Sequence, residues 1–235
     1  SMTLVATNVG APKVEQWKYP FVGDENITMI ERVVIDLSGD KPKTIRLQMP
    51  PDQHRSTCSD DIACSEGWED VQWAQDGKTL AFVSTDRGHK SATLRVADAA
   101  TGKVRDVYTE TVKTQYQSAP ALDSVNWRYL PESNEFLWFS QKSDWGHLYL
   151  HDLATGKEKR QLTSGDWNVA KVAHVDTASR TLWFEGVGRE AGRDPYFVHY
   201  YKVGLDGGDV QLLTPENANH AITPSEDGKR FVDVY

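Results

Sequence analysis

Short apolar runs alternate with polar turns along most of the chain. The segments TLAFVS, ATLRVAD, EFLWFS, HLYLHD, TLWFEG, HYYKVGL and RFVDVY are rich in β-branched and aromatic residues and are bounded by turn formers, the mark of strands rather than helices. No helical period persists over three turns. The pattern predicts an antiparallel, all-β chain.

The runs also repeat. Stretches that begin at Val71, Val125 and Val172 share one grammar of strand, polar turn, strand, loop, strand, glycine turn, strand. A fourth start at Ile222 carries two strands, and the stretch from Thr28 supplies only a third and a fourth strand around Ser38-Gly39-Asp40. Gly77, Asn134, Ser179 and Gly228 fall in the first turns, and Gly102, Gly156 and Gly207 in the last ones. A unit of about 45 to 57 residues with four strands is the signature of a β-propeller blade. The predicted organisation is one partial propeller domain over residues 1–235: a half-blade at about 17–50, blades at about 68–110, 124–165 and 170–216, and a half-blade at 221–235. Trp73, Trp127, Trp138 and Trp183 recur at strand positions and are expected to pack between blades. A closed ring takes about four to eight blades. The chain is thus either a tight four-bladed ring whose end halves complete one blade, or an arc of a larger propeller.

Composition narrows the functional classes. Hydrophobic residues at 39%, with eight Trp and nine Tyr, suffice for a real core. Lys and Arg number 26 against 34 Asp and Glu, and the net charge of -8 argues against nucleic acid or anionic membrane as partner. The apolar runs are too short to span a membrane, and the N-terminus lacks the pattern of a signal peptide. Ser1 before Met2 reads as the remnant of a cleaved expression tag, and the chain stops inside RFVDVY, so a piece of a longer protein is expected. Cys58 and Cys64 are close enough to close a small disulfide loop in an oxidising compartment, with free thiols as the other reading. A zinc site there would need two further ligands.

Three stretches carry a resemblance. WKYPFVGDENITMIERVVIDL, from Trp17 to Leu37, resembles the Tyr-Pro segment in the N-terminal propeller of dipeptidyl peptidase IV-like members of the prolyl oligopeptidase family. FLWFSQKSDWGHLYLHDLATGKEKRQLTSGDWNV resembles a later blade of the bacterial type, and SEDGKRFVDVY resembles a segment near the propeller's end. The resemblance implies an eight-bladed propeller followed by an α/β-hydrolase domain, the pair enclosing a chamber in which a serine nucleophile cleaves peptides after Pro or Ala at the second position. It also implies a periplasmic or secreted location, a hydrolase domain beyond Tyr235 as partner, peptides as substrates, and no cofactor.

The chain itself shows no Gly-x-Ser-x-Gly turn, so it is not expected to catalyse acyl transfer. The family's adjacent glutamates, which grip a substrate amino terminus, have no counterpart, since no Glu-Glu occurs; nor does an arginine stand at Ala121-Leu122-Asp123. His147 and His151 share one strand face but would sit about 13 Å apart along it, too far to clasp one ion; no metal site is predicted. Two long connections, Thr109 to Ser124 and Gly186 to Phe197, are where function is expected on a rigid ring. Asp123, Asn126 and Arg128 are candidate substrate-chamber residues, and Arg189, Arg193 and Asp194 candidate contacts to the hydrolase domain. Open strand edges at the two halves also suggest a homodimer. A second reading is an independent propeller-type binding module of a periplasmic complex.

Overall fold

The computed structural model describes residues 2–6, 10–18, 20–21, 23–53, 71–117 and 125–235. Cys58, Cys64 and Asp123 lie outside the described residues. Strands β1 (Met2–Ala6) and β2 (Lys13–Trp17) form an exposed hairpin that the repeat pattern does not foresee. β3 (Met29–Ile30), β4 (Val33–Asp36), β5 (Lys43–Arg46) and β6 (Asp52–Gln53) follow, with β4 paired to β5 and β3 to β6.

Three four-stranded antiparallel sheets come next, each a meander in chain order. The first comprises β7 (Val71–Trp73), β8 (Thr79–Thr85), β9 (Ser91–Asp98) and β10 (Val104–Thr111). The second comprises β11 (Arg128–Leu130), β12 (Glu135–Ser140), β13 (His147–Asp152) and β14 (Glu158–Gln161), with one 3-10 turn at Pro131–Ser133. In the third are β15 (Asn168–Asp176), β16 (Thr181–Val187), β17 (Val198–Gly204) and β18 (Gln211–Leu212). The hairpin of β19 (Ala221–Pro224) and β20 (Phe231–Val234) closes the order. The expected class, four-stranded antiparallel blades flanked by half-blades, is the class observed.

The cores lie between sheets rather than within one. All six residues of β12 are buried. Because strand side chains alternate, Phe136 and Trp138 enter a core with Val83 and Leu94 of the first sheet, whereas Leu137 and Phe139 enter another with Val169, Leu182, Phe184 and Tyr201 of the third. β8 divides its residues in the same way, Ala81 and Val83 toward the second sheet and Leu80 and Phe82 toward Val34 and Ile45 of the β4–β5 hairpin. Trp127 and Trp138 pack as expected. Trp73 does not: it is 50% exposed, because β7 faces a groove of about 540 Å³ where the neighbouring unit offers only a two-stranded sheet.

The last turns of the first two full sheets explain their glycines. Asp98 Oδ1 accepts from the Thr101 amide and hydroxyl, both at 2.7 Å, and Asp152 Oδ1 does the same for Thr155 at 2.8 and 2.7 Å. These bonds hold both carboxyls below their ordinary value. The turn then needs a left-handed residue, with φ of 72° at Gly102 and 71° at Gly156. It also presses onto the outer strand of the preceding unit, where a methyl would collide with the carbonyl of Arg46 or of Val107.

At the same end, the buried Glu135 carboxylate receives the guanidinium of Arg180 and the ammonium of Lys159, and Arg180 also pairs with Asp206 at 2.8 Å. This network ties the second sheet to the third. Burial works to raise the Glu135 carboxyl, but the bonds from Arg180 and Lys159 outweigh it and leave the group below its ordinary value.

Two expectations follow. Gly156→Ala should cost about 3 kcal/mol in urea unfolding, from strain plus overlap, whereas Gly77→Ala, at φ 68° with nothing within 4 Å, should cost about 1 kcal/mol; equal losses would contradict the packing role. Glu135 stabilises the folded chain above its ordinary value of 4.5, and that contribution disappears as pH falls below 4.5 through the depressed folded value. Glu135→Gln should thus cost about 1–3 kcal/mol at pH 7, discounted for the half-exposed partners, and should flatten the stability profile of the acid limb.

Candidate functional site

An antiparallel meander puts its first and last turns at one end, and its middle loop at the other with the link to the next sheet. Bonds join the two features at that second end. Val112 and Tyr116 amides donate to Lys90 and His89 carbonyls, Gly146 N donates to Asn168 Oδ1 at 2.7 Å, and Val198 N donates to Asn219 Oδ1 at 2.9 Å. Loops and links are thereby held as one surface, the place on a rigid scaffold where function gathers.

Asn126 sits on the link leading into β11, and Arg128 is the first residue of that strand. Asn126 is fully buried; its Oδ1 accepts from Val172 N at 2.8 Å and its Nδ2 donates to Ala170 O at 3.1 Å. Arg128 donates to the Val125, Trp127 and Val172 carbonyls at 2.6, 2.7 and 2.6 Å. Together they clamp the first strand of the second sheet to β15 of the third.

Arg189, Arg193 and Asp194 lie elsewhere, on the loop between β16 and β17. The Arg189 guanidinium stands 5.4 Å from the Tyr201 ring and 5.9 Å from that of Trp167, and bonds Glu190 at 2.8 Å. Tyr201 donates to the same Glu190 oxygen at 3.2 Å. Burial, and then the Glu190 charge, pushes the Tyr201 phenol well above its ordinary range. Arg193 donates to the Pro215 and Glu216 carbonyls at 2.7 and 3.0 Å, with His199 Nε2 at 3.4 Å. Asp194 Oδ1 caps the turn by accepting from Tyr196 N at 2.9 Å. Tyr196 then projects outward, 86% exposed. The loop is a shelf that is ordered from beneath by cations on rings and carbonyls and presents a phenol ring to solvent.

Three buried histidines of the sheets, His147, His151 and His199, serve packing. His147 bonds Thr163 Oγ1 at 3.0 Å and Gly165 O at 2.9 Å, and burial lowers its affinity for a proton. His151 faces Gly156 O at 3.0 Å, at the opposite end of the same strand. His199, lowered chiefly by burial, faces Thr214 O at 3.2 Å. Sequence reasoning did not single out Glu190, Tyr201 or His199. Strand alternation marks the last two as inward, but their partners come from loops that carry no period.

Arg193→Ala should free two carbonyls and loosen the shelf. The expected result is faster amide exchange across residues 188–197 with little change in β12 and β13; unchanged exchange in the loop would show that Arg193 does not order it.

Comparison with known proteins gives a consistent picture. A profile of the dipeptidyl peptidase IV N-terminal region matches residues 2–235. Dipeptidyl peptidase 4 of Arthroderma otae is 31% identical over 102 residues, covering 41% of this chain and 12% of that protein. Dipeptidyl peptidase 4 of Trichophyton rubrum is 29% identical over the same length. The crystal structure of Porphyromonas gingivalis dipeptidyl peptidase 4 is similar over 100% of this chain and 30% of its own, with a TM-score of 0.72 at 16% identity. The chain thus spans about an eighth of these curated relatives and under a third of the solved one.

Proposed function

Because the chain belongs to the dipeptidyl peptidase IV N-terminal family, we propose that it is a non-catalytic part of the propeller of a serine dipeptidyl peptidase. In this reading the sheets form an arc of the ring, gate access by size, and help to position the peptide for a hydrolase domain carried elsewhere in the parent chain. The observation that carries the reading is the profile match along the whole chain, supported by the sequence of four-stranded sheets that pack face to face.

In this reading the candidate residues take the following roles. Asn126 and Arg128, on the first-strand side of the sheets, act at the chamber rim by holding the backbone of adjoining blades in register; Asp123 lies outside the described residues and is kept as a substrate-chamber candidate on the sequence alone. The shelf of Arg189, Arg193 and Asp194, with Tyr196 at its tip, is the surface for the hydrolase domain. The exposed Val33 and Ile35 of β4 and Val232 and Val234 of β20 are covered by the rest of the ring. The family suggests a periplasmic or secreted setting, in which Cys58 and Cys64 would pair.

Hydrolysis of a Gly-Pro chromogenic peptide tests this. The full-length gene product should cleave it, and should release a dipeptide from an unfolded chain while sparing a large folded protein with the same N-terminus. The 235-residue chain alone should not cleave it; turnover by the pure chain would contradict the assignment.

A further inference from the structure

We propose that Glu216, His220 and Asp233 form a site for one divalent cation of the zinc class. Glu216 and His220 lie on the link that leaves the third sheet, and Asp233 lies in β20, where it stands opposite Ile222 of β19. One ligand atom from each residue lies within 4.8 Å of the other two.

The histidine shows why a cation is needed. Its side chain is wholly removed from solvent. Nε2 stands 3.2 Å from the backbone carbonyl of Glu216, which can only accept, so the ring donates its proton there. Nδ1 stands 2.8 Å from Asp233 Oδ2. With the neutral tautomer set by the carbonyl, a nitrogen lone pair would face a carboxylate oxygen at 2.8 Å, a repulsion that a cation ligated by both atoms, or a second ring proton, relieves. A second proton on the ring would satisfy Oδ2 alone. Asp233 Oδ1 is also buried, and among the described residues no donor reaches it, a costly state for a carboxylate. The exposed Glu216 carboxylate lies within reach of the same two groups. A metal ion answers both facts at once, with imidazole Nδ1 and two carboxylates as ligands and the ring's other N–H bonded to a carbonyl, the usual way in which a ligating histidine is oriented.

The surroundings set the charge. Arg193 turns its guanidinium to the Pro215 and Glu216 carbonyls, the His199 ring lies 5.1 Å from that of His220, and so does the Tyr235 ring. Two carboxylates against one arginine leave a net negative pocket for a dication. One nitrogen and two oxygen ligands suit Zn²⁺ better than the all-oxygen shells of Ca²⁺ or Mg²⁺. Sequence reading missed this set because its members are spread over Glu216 to Asp233, with no short metal-binding spacing.

The test is a Zn²⁺ titration of the EDTA-treated chain by calorimetry, with thermal unfolding in parallel and Co²⁺ absorption as a spectroscopic signature. We expect saturable uptake of one ion, a higher Tm with metal, and d–d bands of low-symmetry cobalt. Glu216→Gln, an exposed change that leaves the fold intact, and Asp233→Asn should each weaken binding by at least about tenfold. Lack of saturable uptake by the native chain, or uptake equally strong in both variants, would overturn the assignment; the first result would leave a proton on His220 as the positive centre, and the second would place the cation elsewhere.

Discussion

Everything in this chain depends on the sharing of each central strand between two cores. A four-stranded sheet has two apolar faces and can cover neither by itself, so β12 buries Phe136 and Trp138 against one neighbour and Leu137 and Phe139 against the other. No blade is therefore an independent unit. The uninterrupted apolar run FLWF of β12, which would be an aggregation hazard on a sheet with one wet face, is required here by the architecture.

Packing between faces alone would leave the sheets free to slide, and polar clamps fix their relative position. Glu110 of β10 accepts from Trp138 Nε1 at 2.7 Å and Ser140 Oγ at 2.6 Å in the next sheet. Gln72 of β7 donates to Trp127 O and accepts from Tyr129 N. Asn126 and Arg128 repeat the device between the second and third sheets. Directional bonds in a dry interface are costly to misplace, so they hold neighbouring sheets in one register.

Much of this was legible in the sequence. Strand alternation and the turn glycines located the three full sheets, because those signals are local: Asp98 with Thr101, or Asp152 with Thr155, needs only its own turn. What escaped was whatever depends on a partner from another unit. Trp73 carries the same strand signal as Trp127, yet it is half-exposed because its neighbour is a two-stranded sheet. The polarity of Asn126 and Arg128 marks them as candidates for ligand contact, and nothing in their own segment shows that backbone groups of β15 already engage them. His220 and Asp233 meet only through the β19–β20 hairpin.

The most direct test of the account is amide exchange resolved by strand, followed by mass spectrometry under native conditions. If shared cores hold the arc together, the central strands β8, β9, β12, β13, β16 and β17 should open with one common free energy, while the β1–β2 hairpin exchanges far faster. Three separate opening energies, one for each sheet, would show that the blades are stable alone and would contradict the account.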